Sequence, residues 1–270
     1  MIIVLTYIGN KYNVQTGYQQ DNKITSLKAA EIMSISIQTA DAGINLSRNG
    51  GSWQIDEPVL WYANNIAVER IIDIVNAQTD SKLPVSEIDP ATLGLQFPKA
   101  ILSLNNTQIT FGATNNIGDR RYLQIDDTIY LLTDRYLPFM TQGITGLLDR
   151  RLLPGALALK SLILADIELE KQEENVWAED AGSLTANQAA KIINNWQTLE
   201  AERIQRYQID LTPKQKVTAI LEQGGEIEFH VLAIKPQLVI ARSDLGFQYH
   251  FKEKNYYGLL AAAKDESTTD

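Results

Sequence analysis

The chain has 270 residues, of which 44% are hydrophobic and 21% charged, and its formal net charge is −9. This composition is typical of a folded globular protein, and the acidic balance argues against nucleic acid or an anionic lipid surface as the main partner. Because the chain contains no cysteine, disulfide bonds, thiolate nucleophiles and cysteine-ligated zinc are excluded.

The two ends of the chain differ from the rest. Residues 1–30 open with the apolar stretch MIIVLTYIG and then become polar. That stretch is shorter than the roughly 20 residues that span a bilayer, and no basic segment precedes it. Two interpretations stay open: a strand or leader, or the remnant of a membrane anchor whose start lies upstream of Met1. Residues 264–270 are polar and are predicted to be a disordered tail.

Residues 31–154 are predicted to form a first β-rich module. Its short segments alternate between apolar and polar residues, as around Ile35 and Ile37, and glycine-rich turns separate them. The predicted strands are 34–39, 43–48, 52–55, 100–104, 108–112, 121–125 and 129–133.

Two helices are predicted in the same module. Over 64–78 the apolar residues follow the spacing of a helix with one buried stripe, and the first asparagines can cap it. The stripe consists of Val68, Ile71, Ile72 and Val75. A second helix is predicted over 137–153, with Pro138 in its first turn.

Residues 155–263 are predicted to form a second β-rich module. The predicted strands are 161–166, 167–171, 217–221, 226–231, 237–241 and 247–251. The stretch 175–177 leads to Trp177, and 202–209 is predicted to be extended. A helix is predicted over 185–201, with Thr185 as its cap and one apolar stripe. That stripe consists of Ile192, Ile193, Trp196 and Leu199.

The two modules resemble each other in element order. Trp53 and Trp177 occupy matching strands just before the main helix of each module, and both are predicted to be core residues. The separation between matching residues shrinks steadily along the chain, as small loop deletions would cause. We therefore predict an α+β fold with two tandem, duplicated modules, each a mostly antiparallel curved sheet packed against an amphipathic helix.

Two sets of motif residues and one following segment stand in a characteristic order and spacing along the chain. The central motif is carried by Gly94, Leu95, Pro98, Phe111, Gly112, Gly118, Arg121, Tyr122 and Asp127. An upstream run is carried by Gly50, Gly51, Trp53, Pro58 and Ala63, and the segment LLDRRLLP follows at 147–154. Together they resemble the bacterial family known as domain of unknown function 4340, and the resemblance covers about residues 30 to 260.

The resemblance implies a location and a kind of partner. Family members usually carry one N-terminal membrane anchor, with the β-rich body on the periplasmic side of the inner membrane. Some accompany subunits of ABC-type export systems. The resemblance implies no catalytic residues, because none are established for the family.

No arrangement of residues predicts catalysis or a cofactor. His230 and His250, the only two histidines, are predicted to be surface residues on the polar faces of their strands. Paired acids such as Asp126–Asp127 lie in predicted turns, where adjacent carboxylates are usually solvated. We expect no enzyme activity, no cofactor and no metal site.

Two functions are therefore considered. The first is a non-catalytic interaction module of the cell envelope, periplasm-facing and accessory to an ABC-type transport system. The alternative is a glycan- or peptide-binding module that uses the cleft between the two repeats. The candidate interaction residues are Trp61, Tyr62, Arg121, Tyr122 and Tyr136.

Overall fold

The computed structural model describes most of the chain. The described residues are 22–79, 81–115, 118–155, 157–173, 176–179, 181–208 and 212–261. The predicted leader up to residue 21 and the predicted tail 264–270 lie outside them. Residues 22–30 lie against the body of the protein, because Ile24 is buried and its backbone N–H donates to the carbonyl of Ala77.

The described residues up to 154, here called the first half, form one antiparallel sheet. Its nine strands lie side by side in the order β4-β3-β2-β1-β6-β7-β8-β9-β5. The strands are β1 Ser34–Thr39, β2 Gly43–Asn49, β3 Ser52–Glu57, β4 Trp61–Tyr62, β5 Lys82–Pro84, β6 Ala100–Leu104, β7 Thr107–Asn115, β8 Arg120–Ile125 and β9 Thr128–Thr133. Alternation decides which side chains are buried: in β1, Ile35 and Ile37 face the core.

The described residues from 155 onward, here called the second half, form another antiparallel sheet. Its eight strands lie in the order β12-β11-β10-β14-β15-β16-β17-β13. The strands are β10 Leu159–Ile163, β11 Glu168–Lys171, β12 Trp177–Glu179, β13 Arg203–Arg206, β14 Gln215–Leu221, β15 Glu226–Ala233, β16 Gln237–Arg242 and β17 Phe247–Lys252. Without β4, the first sheet has the same order of strands as the second.

Within the described residues, four α-helices connect or flank these strands. They are α1 Asn65–Ile72, α2 Leu137–Thr141, α3 Ala186–Thr198 and α4 Tyr256–Leu259. The predicted caps of the two main helices are confirmed: the side chain of Asn64 accepts from the N–H of Ala67, and Thr185 forms a capping box with Gln188. Short 3-10 helices are Ala29–Glu31, Asp73–Asn76, Val85–Glu87, Pro90–Leu93, Ile144–Gly146 and Glu253–Asn255.

The predicted α+β class is wrong, because the protein is mostly antiparallel β-sheet and its few helices are short. Helix α1 has 8 residues, so it is about 12 Å long, whereas nine strands about 4.8 Å apart span roughly 38 Å. Such a helix cannot cover the sheet, and strand side chains supply most of the core. The predicted helix over 137–153 is also wrong beyond Thr141, because Gly143 adopts φ 66° and ψ −166° and ends it.

The halves share one hydrophobic core. The segment 147–153 that joins them contributes four buried leucines to it: Leu147, Leu148, Leu152 and Leu153. Backbone hydrogen bonds fix this segment on both sides. The N–H of Asn64 donates to the carbonyl of Leu147, and the N–H of Leu153 donates to the carbonyl of Trp196. The two halves are therefore packed into one body.

Candidate functional site

A cleft opens on the surface where the two halves meet. From the first half it is lined by helix α1 at Ile66, Ala67 and Arg70, and by the segment around α2 at Phe139 and Gln142. The second half contributes residues at the start of β13, and these are Glu200, Glu202, Arg203 and Ile204. The cleft holds about 560 Å³, which is within the usual size range of ligand sites. We call it the inter-half cleft.

Two further hollows adjoin the inter-half cleft and lengthen it. One holds about 420 Å³, shares Ile204 with the cleft, and follows β13 as far as Arg206. The other holds about 470 Å³, shares Ile66 and Phe139, and reaches Tyr136. The three hollows together form a groove across the junction of the halves, open at its surface.

The arginines and the acids of the cleft differ in their partners. Glu200 faces Arg150 at 4.0 Å, and Glu202 pairs with Lys252 at 3.4 Å, so each acid already has a cation nearby. Arg70 and Arg203 form no ion pair within the described part of the chain. The cleft lining thus carries three arginines and two glutamates, and the adjoining hollow that reaches Tyr136 adds Glu69, Asp73 and Arg135.

The partners of these two arginines are uncharged. The guanidinium of Arg70 lies 5.6 Å from the centre of the Phe139 ring. Arg203 approaches Oε1 of Gln237 and Nδ1 of His250, both at 3.3 Å. A guanidinium held by an aromatic ring or by amide and imidazole groups keeps donors that can bind a planar anion.

A second contact between the halves involves a buried arginine. Arg242, at the end of β16, places its guanidinium 4.2 Å from the centre of the Trp61 ring. It also donates to Asp244 from Nε at 2.9 Å and from Nη2 at 2.7 Å. Burial raises the pKa of Asp244, but the hydrogen bonds and the charge of Arg242, together with backbone hydrogen bonds, outweigh it and lower that pKa. Arg242 is therefore a fixed structural cation.

The aromatic candidates from the sequence are mostly core residues. Trp61 and Tyr136 are only 8% and 4% exposed, and Tyr62 packs its ring edge against Trp61. Only Tyr136 lines part of the groove. Its hydroxyl accepts a hydrogen bond from Arg135 at 2.7 Å. Burial raises the pKa of this hydroxyl, and the hydrogen bond opposes that rise.

Arg121 and Tyr122 lie on β8, outside the lining of the groove. Arg121 is buried, pairs with Asp134 at 2.6 Å and donates to the carbonyl of Gly112. Tyr122 faces the other way and packs against a small cluster around Leu93 and Ile129. The structure does not bring the five candidate residues together at one site.

The two histidines are also separated. His230 lies on β15 and His250 on β17, with β16 between them. His250 is buried rather than on the surface, so that prediction is wrong: a second small apolar cluster with Tyr207 covers this face of the sheet. Burial, followed by the nearby charge of Arg203, lowers the pKa of His250. No group of three or more metal-binding side chains converges among the residues that the structure describes.

Apart from Tyr136, the residues that line the groove were not identified from the sequence. Arg70 follows Ile66 by one helical turn on α1, a spacing that shows they share a helix face but not what they face. Arg203 lies in a predicted extended segment with no motif around it. The sequence gives a weak indication that Arg242 is paired, because it ends an apolar strand and Asp244 follows two residues later.

The fold and the groove thus define a mostly β protein of two packed sheets with a surface cleft between its halves. A family model described as "Domain of unknown function (DUF4340)" matches residues 53–223. The chain belongs to this family, which confirms the resemblance seen in its motifs. Comparisons with curated proteins and with solved structures found no match.

The family resemblance also raises the question of a membrane segment. Over the described ranges, no helix combines the length and the apolar character that crossing a bilayer requires. The stretch proposed as an anchor remnant lies within residues 1–21, outside those ranges.

Proposed function

We propose that this protein is a non-catalytic binding module that holds a segment of a partner protein in the inter-half cleft. The observation that carries the proposal is the cleft itself, which both halves line and which the two adjoining hollows extend. A groove formed by two packed halves is a common place for ligands to bind.

The proposal extends to the place and the partner. In line with the family resemblance, the module faces the periplasm at the inner membrane and serves an ABC-type transport system. The partner is then a membrane protein with several spanning segments, and the cleft holds one of its loops or tails. The packed core of the two halves supports this role, because a rigid groove loses little conformational entropy on binding.

One observation favours a peptide over a glycan as the occupant. Glycan sites usually offer the open face of an aromatic ring. Here Trp61 and Tyr136 are buried, and the guanidinium of Arg70 lies over the ring of Phe139. The groove therefore lacks a free stacking platform among its described lining residues.

Photo-crosslinking in native membranes tests the function. A photoreactive residue at Thr145, which lines the cleft, is compared with one at Gln108, which is exposed on β7 and outside it. We expect a crosslink to a polytopic membrane protein from Thr145 only. The absence of any crosslinked protein at Thr145, or the same products from both positions, would refute the proposal.

We also propose that the halves are two copies of one module. The shared strand order and the burial of Trp53 and Trp177 in matching strands support it. Superposition of the two sheets on their matching strands tests it. Deviations as large as those between unrelated antiparallel sheets would contradict common origin.

A further inference from the structure

Three buried side chains at the junction of the halves each have a polar atom that forms no hydrogen bond within the described part of the chain. These atoms are Nε1 of Trp61, Nη1 of Arg242 and the hydroxyl oxygen of Tyr249. The three residues are only 8%, 2% and 0% exposed, respectively. Trp61 lies on β4 in the first half, whereas Arg242 and Tyr249 lie on β16 and β17 in the second.

The three side chains are neighbours in the core. The guanidinium of Arg242 lies 4.2 Å from the centre of the Trp61 ring. Arg242 is paired with Phe247 on β17, so Tyr249, two residues further along that strand, projects from the same face of the sheet. Diagonal neighbours of this kind are within reach of long and aromatic side chains.

The surroundings of the Tyr249 hydroxyl agree with this placement. Burial raises the pKa of the hydroxyl, and the charge of Arg242 and the approach of the Trp61 indole N–H oppose that rise. Both groups therefore lie close to the phenolic oxygen, although neither forms a hydrogen bond with it. The three unpaired atoms belong to one small region between the halves.

We propose that one water molecule is bound between Trp61, Arg242 and Tyr249 and links the two halves through hydrogen bonds. Buried polar groups in native proteins nearly always have a hydrogen-bond partner, because an unpaired group loses its hydration without replacement. A buried water typically makes about three hydrogen bonds with groups that the protein leaves unpaired. This inference goes beyond the proposed function, since it concerns how the halves are joined and not what the cleft holds.

The donors at this site match water and exclude a metal ion. The indole Nε1–H of Trp61 and the guanidinium Nη1–H of Arg242 can only donate, so they would repel a cation. A water oxygen accepts from both of them. One of its own hydrogens is then donated to the hydroxyl oxygen of Tyr249, which accepts it.

The charges near the site favour a neutral ligand over an anion. Arg242 already donates two hydrogen bonds to Asp244, and Asp149 is paired with Arg151. The charges of Asp149 and Asp244 both raise the pKa of the Tyr249 hydroxyl, so negative charge is already present nearby. A bound anion would add a further buried negative charge without a free cation to pair with it, which is unfavourable.

A high-resolution crystal structure of the intact chain, with a second crystal soaked in sodium bromide, tests the proposal directly. We expect one electron-density peak within hydrogen-bond distance of Nε1 of Trp61, Nη1 of Arg242 and the hydroxyl of Tyr249. The bromide crystal should show no anomalous signal there. The absence of the peak would overturn the proposal, and an anomalous peak would replace the water with an anion site.

A double-mutant cycle in urea tests the same link in solution. Trp61→Phe and Tyr249→Phe each keep an aromatic ring and remove one partner of the water. Because the second removal acts on a bridge that is already broken, the double variant should raise the unfolding equilibrium constant at least about threefold less than the product of the single effects. If the two effects simply multiply, no shared partner joins these groups and the proposal fails.

The control cycle combines Trp61→Phe with Tyr130→Phe. Tyr130 is half-buried on β9, near the opposite end of the first sheet from β4, so the effects of these two changes should multiply. Equal coupling in the control cycle would show that the coupling between Trp61 and Tyr249 is not specific, and would count against the water. The crystal experiment needs no variant, so it decides the question even where a variant does not fold.

Discussion

The guanidinium of Arg242 lies 4.2 Å from the centre of the Trp61 ring, so a cation of the second half stacks on an indole of the first. The same guanidinium lies 5.2 Å from the ring of Phe229 and is held by Asp244. A buried cation between two aromatic rings is stabilised by both ring faces and by its ion pair. Through this contact the indole of Trp61 connects the first half of the protein to the second.

Replacing Trp61 with alanine should destabilise the protein by about 3 to 5 kcal/mol, because it leaves a cavity in the shared core and removes one aromatic face from Arg242. Trp61→Phe, which keeps an aromatic ring, should cost less. Urea denaturation followed by circular dichroism measures both. A loss of under about 1 kcal/mol for the alanine variant would show that the indole does not support the junction.

The ion pair of Arg121 and Asp134 should be structural. Asp134→Ala strands a buried guanidinium and should cost about 3 kcal/mol. The double variant Arg121→Met/Asp134→Ala removes that stranded charge and should be more stable than Asp134→Ala alone. The urea midpoints of the single and double variants test this prediction. A double variant less stable than Asp134→Ala would contradict the structural role of the ion pair.

Gly112 should tolerate no side chain. A Cβ at this position would lie 2.5 Å from the carbonyl oxygen of Leu93 and 3.0 Å from the side chain of Leu95. We expect Gly112→Ala to cost about 2 kcal/mol through overpacking. Gly43→Ala is the matched control, because a Cβ there meets nothing within 4 Å. Similar thermal midpoints for both variants would contradict the steric explanation of this family motif.

Stability should depend on pH through His250. Because the pKa of this imidazole is lowered in the folded protein below its ordinary value of 6.5, the folded state favours the neutral form. Protonation then favours unfolding, so this contribution is complete above about pH 6.5 and is lost as the pH falls further.

Urea midpoints of the native chain and of His250→Gln at about pH 7.5 and about pH 5.5 measure this effect. The midpoint of the native chain should fall more on acidification than that of the variant. Equal decreases in the two proteins would exclude His250 as the source.

Many of the strands were predictable because only one of their faces is buried; β16 and β17, which are buried on both faces, are exceptions. Ile35 and Ile37 alternate with polar residues in β1, and this pattern needs no knowledge of what covers the face. The same holds for the buried stripe of α1, where Val68, Ile71 and Ile72 are all in the core. Local periodicity therefore located most elements of the fold.

The fold class was not predictable in this way. An amphipathic stripe identifies a helix but does not say how much of a sheet the helix covers, and α1 is too short for nine strands. The apolar run after Pro138 also favours a helix, but Gly143 ends it through its backbone conformation. The fold class therefore depends on how much of each sheet a helix covers, and the end of α2 depends on the backbone conformation of Gly143. The helical pattern of apolar residues reports neither.

The cleft could not be predicted from the sequence for a related reason. Arg70 and Arg203 belong to different halves and line one cleft only because the halves pack together, which no spacing in the sequence encodes. Aromatic residues such as Trp61 attracted attention as ligand contacts, yet their size makes them core residues here. Burial of a single side chain depends on all of its neighbours in space.

The leucine-rich connection at 147–153 restricts how this protein can be divided. A chain cut just after this connection would expose Leu148 and Leu153 to water. It would also break the hydrogen bond that the N–H of Leu153 donates to the carbonyl of Trp196. Each fragment would then expose an apolar surface that favours self-association. Recombinant expression should therefore include both halves in one chain, because separately expressed halves would lack part of their shared core.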